Sequence, residues 1–295
     1  MPIENFIINV FCVVDELISA VAPVKILQRG FKPQLSDSEV ITMEIVAEFL
    51  GIDTDKQILE YFSHHWKSWF PHLGSRSNFS GQTANLWQVK QRMQGKLSER
   101  LNGICALVHM IDGFPIPVCR ISRAHRIKHF QGVASFGYCA SKKEKYYGFK
   151  GNVVISSQGV IVGVTVASAH IDERHSMFEI IDKLRGLLIG DRGFIGTELQ
   201  EELKKFEIDL QTPRRNNMRE NRPPAFVKWL KSTRRLIETV IGQLSDRFKI
   251  EKVRARDIWH LTGRIDRKVL AHTVGMLINK QIGNEPLQFD CLLAT

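Results

Sequence analysis

The amino-acid sequence predicts an α/β protein, a mixed sheet with helices on both faces, preceded by a small all-α domain. Three observations lead there. Apolar residues recur at helical spacing as far as about residue 103, then give way to runs rich in Val, Ile and Leu. From residue 104, three strand-like runs come first, and strands then alternate with helical patterns, the order of a mixed sheet covered by helices. The chain has 295 residues, 43% hydrophobic and 24% charged, enough for one large globular domain or two ordinary ones.

In the N-terminal part, "LSDSEVITMEIVAEFLG" opens with Ser36 and Glu39 at capping-box spacing. An apolar face follows at Val40, Ile41, Met43, Ile45, Val46 and Leu50. "DTDKQILEYF" restarts a helix after Gly51, and "SGQTANLWQVKQRMQGKL" supplies one more. Between them, "SHHWKSWFPHLGSRSNFS" is expected as a loop. Short helices in a row suit either a domain holding a helix-turn-helix or a cap that only packs on the rest. "ICALVHMIDGFPIPV" then predicts a strand with a Pro-interrupted end. "YYGFKGNVVISS" and "GVIVGVTVASA", joined at Gln158-Gly159, predict a hairpin. "ERHSMFEIIDKL" predicts an amphipathic helix, "GLLI" a short buried strand, "TELQEELKKF" a helix and "IDLQTP" a strand. A basic loop with Pro223 and Pro224 leads to a long helix over about 225–248. The order β-β-β-α-β-α-β-α is that of the ribonuclease H-like fold. The expected organisation is a helical domain over 1–103, a ribonuclease H-like domain over 104–250 and a basic helical tail over 251–295.

The charge is lopsided. Lys and Arg number 41 against 31 Asp and Glu, giving +10 and a pI near 9.4. Such an excess favours a polyanionic partner, nucleic acid or an anionic membrane surface. The longest apolar runs, "FIINVFCVV" and "VIVGVTVASA", fall well short of the roughly 20 residues of a spanning helix. Glu4 and Asp15 argue against a signal peptide. Five scattered cysteines without paired spacing fit free thiols in a reducing compartment, so a cytoplasmic location without membrane contact is expected.

Three acids stand in unusual settings. Asp112 interrupts the apolar run "ALVHMIDGFPIPV", where an unpaired carboxylate is costly and usually neutralises, pairs or holds a metal. Asp191 follows "LLIG" at the carboxyl end of a strand, where α/β sheets tend to bind ligands. Its neighbours Gly190 and Gly193 are expected to allow a sharp turn and close approach of a ligand. Glu238 lies at the edge of the apolar stripe of the long helix, one turn after Arg234 and two after Lys231. Alone it is as well explained by a helical Glu–Arg pair. Together the three acids suit hard divalent cations, which take carboxylate oxygens, and a two-ion site needs acids converging from distant segments with one shared.

At these residues the chain resembles transposases of the DDE class, whose Asp-Asp-Glu triad sits on a ribonuclease H-like core. More narrowly, it resembles the small bacterial insertion-sequence family conventionally numbered nine-eight-two. The matching segments are "DGFPIPVC", "YYGFKGNVV", "HIDER", "GDRGFIG", "RRLIETVIGQL" and "KIEKVRAR", spanning 112 to about 256. The resemblance implies that Asp112, Asp191 and Glu238 are the catalytic residues and bind Mg²⁺ or Mn²⁺, as two ions. It implies that Arg234 lies near them, in contact with DNA or the carboxylates. It also implies cleavage and strand transfer at insertion-sequence ends, with terminal inverted repeats and target DNA as partners and a homodimer in the synaptic complex. The pattern departs from related families at Lys231, where a Tyr is common, and at Ser245, where a Lys is common.

The cations agree with a DNA path. Residues 120–150 hold eight Lys/Arg, among them Lys142, Lys143 and Lys150, against Glu144 alone. Residues 214–235 hold eight more, among them Arg214, Arg215, Lys231, Arg234 and Arg235, against Glu220 alone. Both segments flank the acids, as a phosphate-binding groove would require. His170, Asp172 and Glu173 are expected to cap the next helix or line the rim of the site. His125 and His129 lack the paired cysteines usual in zinc sites. Absence of a G-x-S-x-G elbow and of a phosphate-cradling P-loop argues against a serine hydrolase and a P-loop ATPase. Two other functions share most of these features: a ribonuclease H-like nuclease or resolvase without strand transfer, and a non-enzymatic DNA-binding remnant.

Overall fold

The structure is a computed structural model, described here for residues 1–22, 33–140 and 142–293. It divides into two compact units: residues 1–97 with 246–295, and residues 98–245. Residues 23–32, inside the region expected to be helical, lie outside the described residues.

The first unit is helical. α1 (Ile3–Val21), α2 (Asp37–Phe49), α3 (Asp55–His65), α4 (Arg76–Asn85) and α5 (Trp87–Arg100, running a few residues past the unit's edge) are joined by α9 (Ile258–Gln281). The Ser36–Glu39 capping box opens α2, with Ser36 Oγ accepting from Glu39 N and the Glu39 carboxylate accepting from Ser36 N at 2.7 Å. Phe49 gathers an aromatic cluster, meeting Phe6, Phe248 and Phe289 edge-on at 5.0, 5.3 and 5.8 Å. Residues 251–295, expected as a separate tail, belong to this unit instead. The reason is α9, buried along most of its length, whose Arg267 and Lys268 are 1% exposed and share Glu48 at 2.5 and 3.0 Å. The stretch expected as one helix over 80–97 is two, α4 and α5, parted at Leu86. The ends of the expected loop over 63–80 belong to α3 and α4.

The second unit is a six-stranded mixed sheet: β1 (Val108–Cys119), β2 (Ser135–Cys139), β3 (Glu144–Ser156), β4 (Ile161–Ser168), β5 (Gly186–Ile189) and β6 (Ile208–Gln211). β3 pairs antiparallel with β1 and, along its other edge, with β2 and then β4. β5 runs parallel to both β1 and β6. The path β4-β3-β1-β5-β6 gives a ribonuclease H-like fold. The hairpin at Gln158-Gly159 forms as expected, with Gly159 at φ +80° supplying the left-handed turn. Successive His109, Met110 and Ile111 are all at most 1% exposed, so both faces of β1 are covered there. On one face Ile111 and Val154 pack with Leu188, Phe194 and with Leu199 and Leu203 of α7 (Thr197–Lys204).

Two local expectations change. "SFGYC" forms the additional strand β2, held by five residue pairs to β3, although it is too short and Gly-interrupted to announce itself. "ERHSMFEIIDKL" yields only a four-residue helix, α6 (Glu173–Ser176), and a 3₁₀ turn over Met177–Glu179. Its apolar residues Met177, Ile181 and Leu184 are buried all the same, with isolated i→i−3 bonds from Ile180 to Met177 and from Leu184 to Ile181. Burial at helical spacing is satisfied without α-helical hydrogen bonding. The long helix forms as α8 (Pro224–Asp246), with Pro224 at its first position and Leu230, Ile237, Val240 and Leu244 on its buried stripe.

Candidate active site

Strand register brings two of the acids together. Met110 of β1 lies level with Ile189 of β5 in a parallel pair, and Asp112 and Asp191 each stand two residues further on. Side chains alternate along a strand, so the two carboxylates leave the sheet side by side at its carboxyl edge. α8 brings the third, and Asp112, Asp191 and Glu238 all line one cleft of about 540 Å³.

Asp112 accepts from its neighbour Gly113 N at 2.9 Å and meets Arg234 Nη2 at 2.9 Å. Burial pushes its carboxyl up to about 6; Arg234 opposes this, and the nearby charge of Asp191 adds to it. Arg234 also reaches Glu238 at 3.5 Å, across one helical turn, while Glu238 remains 57% exposed. Asp191 caps the 3₁₀ turn Arg192–Phe194, accepting from Gly193 N at 2.7 Å. The sharp turn expected there forms as this 3₁₀ turn, without a positive φ at Gly190 or Gly193. Gly193 is needed for another reason. A Cβ there would lie 2.8 Å from Asp191 Oδ1, so a side chain would push the carboxylate out of place.

The expected cations divide. Lys150 and Arg234 line the cleft, Lys150 bound to Glu173 at 3.1 Å. Lys142, Lys143, Lys231, Arg235, Arg214 and Arg215 do not line it. Lys142 and Lys143 sit in the turn between β2 and β3, and Lys231 and Arg235 are exposed on α8. Arg214 is engaged by Glu220 at 3.6 Å and the Arg219 carbonyl at 2.8 Å. Arg222, in the same basic segment, clamps Glu220 with two 2.8 Å bonds and donates to Gln211 and the Thr212 carbonyl. It thereby shapes the loop, and its hydrogen bonds hold the Glu220 carboxyl down at about 2.

The segment "HIDER" does more than its sequence announces. Asp172 caps α6, and Glu173 lines the cleft, where its carboxylate would lie 3.0 Å from a Cβ at Gly113. Arg174 donates to the Gly193 carbonyl at 3.1 and 3.0 Å and to that of Ile195 at 2.9 Å, tethering the loop that carries Asp191. Nothing in the sequence pairs Arg174 with residues nineteen and more positions away.

Among the described residues no three of His, Cys, Asp and Glu are gathered closely enough to hold a metal ion as they stand. The donor set is nevertheless of the kind that Mg²⁺ takes, carboxylate oxygens with open space beside them. Burial is the main reason the Asp112 carboxyl is raised, with the charge of Asp191 adding to it, and a dication would favour its ionised form as Arg234 does in part.

The model of the transposase DDE domain matches residues 102–258, more than half of the chain. The chain belongs to that family. It is therefore a transposase, of a class that cuts and joins DNA and generally uses divalent metal ions. A cryo-EM structure of a piggyBac transposase synaptic complex with hairpin DNA shares the fold, with a TM-score of 0.51 at 10% sequence identity. The match covers 95% of this chain and 75% of that one. No curated protein matches the chain by sequence. Among the described residues, no helix of this transposase is long and apolar enough to cross a membrane.

Proposed function

We propose that this transposase cuts a phosphodiester at the end of an insertion sequence of the nine-eight-two type and transfers the freed 3′-hydroxyl to target DNA. Asp112, Asp191 and Glu238 are its catalytic carboxylates and hold two Mg²⁺ or Mn²⁺ ions. The observation that carries this reading is the meeting of three acids from distant segments on one cleft with Arg234 and Lys150. Bound divalent ions supply charge neutralisation at the attacking and leaving oxygens. Asp112, beside Asp191 and paired with Arg234 of α8, would supply its carboxylate to such ions. Arg234 and Lys150, paired with Asp112 and Glu173, line the cleft, where they would meet phosphate oxygens of bound DNA. Lys142, Lys143, Arg214, Arg215, Lys231 and Arg235 follow the DNA backbone away from the cleft. No covalent protein intermediate is required, because positioning and charge supply the catalysis.

The helical unit recognises the terminal inverted repeats, and two chains hold two ends as a homodimer in the bacterial cytoplasm. Calorimetric titration with Mn²⁺ tests the carboxylates without relying on turnover. The wild type binds and Asp112→Asn does not. Equal binding by both would remove Asp112 from the site.

A further inference from the structure

The helical unit has a second cleft, of about 300 Å³, that the proposed chemistry leaves unused. Its walls come from two distant stretches. Lys56 and Arg76 lie at the starts of α3 and α4, and Arg254, Arg256 and Arg264 surround the start of α9. Two acids, Asp55 and Asp257, share the lining with these five cations. Asp55 is already matched, by Arg264 at 3.0 Å and by Ser80 at 2.7 Å. Asp257 is committed to capping α9, accepting from His260 N at 2.9 Å.

The other four cations face solvent. Lys56 makes only a long 3.5 Å contact with Glu60 and is 64% exposed. Arg76, Arg254 and Arg256 are exposed, with no carboxylate partner among the described residues. Arg264, in contrast, is fixed: besides Asp55 it donates to the Arg254 carbonyl, which ties the 254–256 segment to α9. Asp55 and Arg264 adjoin a charge network of Glu44, Glu48, Asp53, Lys90, Arg267 and Lys268, so that four carboxylates meet four cations. The floor is therefore rigid and internally neutral, while the rims carry unmatched positive charge.

We infer that this cleft grips the phosphodiester backbone of duplex DNA, with Lys56 and Arg76 on one rim and Arg254 and Arg256 on the other. The inference rests on DNA being the partner of the chain. Guanidinium groups brought to one cleft by separate chain segments suit phosphate oxygens, which accept two parallel N–H bonds from one arginine. Contacts of this kind fix orientation and carry no base sequence, so the cleft positions an end that other residues specify.

The test is binding of a labelled mixed-sequence duplex by the full chain, in EDTA, over a series of salt concentrations. Each phosphate contact contributes about 0.9 to the slope of log affinity against log salt. Lys56→Ala/Arg76→Ala and Arg254→Ala/Arg256→Ala should each lower that slope by about 1.8. Lys204→Ala/Lys205→Ala, on α7, removes equal charge elsewhere and should leave it unchanged. If a double variant melts early, Arg76→Gln and Arg254→Gln replace it, with about 0.9 lost in each. Wild-type slope in the cleft variants overturns the cleft and leaves the chemistry of the acids standing. Equal losses in all three pairs also overturn it, since charge alone would explain binding. A wild type that binds no DNA overturns the cleft and the DNA reading together.

Discussion

Replacing Asp112 by Asn should stabilise the protein at neutral and alkaline pH while it disables the site. The Asp112 carboxyl rises from 3.8 to about 6, so its ionised form is disfavoured in the folded state even with Arg234 at 2.9 Å. A shift of that size corresponds to about 3 kcal/mol. Because the folded value is the higher one, the folded state holds the proton more tightly. The penalty is therefore fully present above pH 6 and disappears as pH falls through the unfolded value near 3.8. Asn keeps the shape without the charge. At pH 8 the variant should gain up to about 3 kcal/mol, on the order of 5–10 °C in melting temperature for a unit of this size. At pH 4 the gain should shrink to about 0.5 kcal/mol. Melting curves at the two pH values, on metal-free protein, read this directly, and comparing the two cancels pH-independent effects of the substitution. Mg²⁺ should then stabilise the wild type and not the variant. A variant no more stable than the wild type at pH 8, or equally stabilised at both pH values, would refute the charge argument.

Three further outcomes follow from the same structure. Arg174→Ala removes three hydrogen bonds to the loop of Asp191 and should lower kcat at least tenfold with little change in KM. Arg174→Lys, which cannot span both carbonyls, should recover only part of it. Mn²⁺ affinity, measured by calorimetry, should fall roughly tenfold per pH unit below about 6 as protons compete for Asp112; a flat profile from pH 5 to 8 would exclude Asp112 as a ligand. Glu48→Gln takes the closest carboxylate from buried Arg267 and one of two from Lys268, whose other partner is Asp53, and should cost about 3 kcal/mol by urea unfolding.

Strands β1, β3, β4 and β5 were legible because their burial is written as contiguous apolar runs, unlike β2, and Asp112 was conspicuous because it breaks one. The neighbouring placement of Asp112 and Asp191 follows from a β1–β5 register that no local pattern encodes. Glu238 could be placed on the edge of the α8 stripe from periodicity alone, and its contact with Arg234 is the expected one-turn pair. Arg174 was hidden because its partners are carbonyls, which have no sequence signature. α9 was misassigned because its buried face includes Arg267, Lys268, His272 and Asn279, polar residues that dilute an apolar stripe. α6 shows the reverse failure, since its apolar spacing persists where the helix does not.

The most direct measurement is metal-dependent cleavage and joining of a labelled duplex carrying the DNA ends that flank the chain's own coding sequence. Wild type, Asp112→Asn and Glu238→Gln would be compared side by side. Glu238→Gln should fold normally, within about 0.5 kcal/mol, because the side chain is largely exposed. The account predicts cut and joined product from the wild type in Mg²⁺ or Mn²⁺ and none from either folded variant. Cutting without joining would make the chain a nuclease of the same fold. DNA binding with no cutting in either metal, or undiminished cutting by either variant, would contradict the assignment of the three acids.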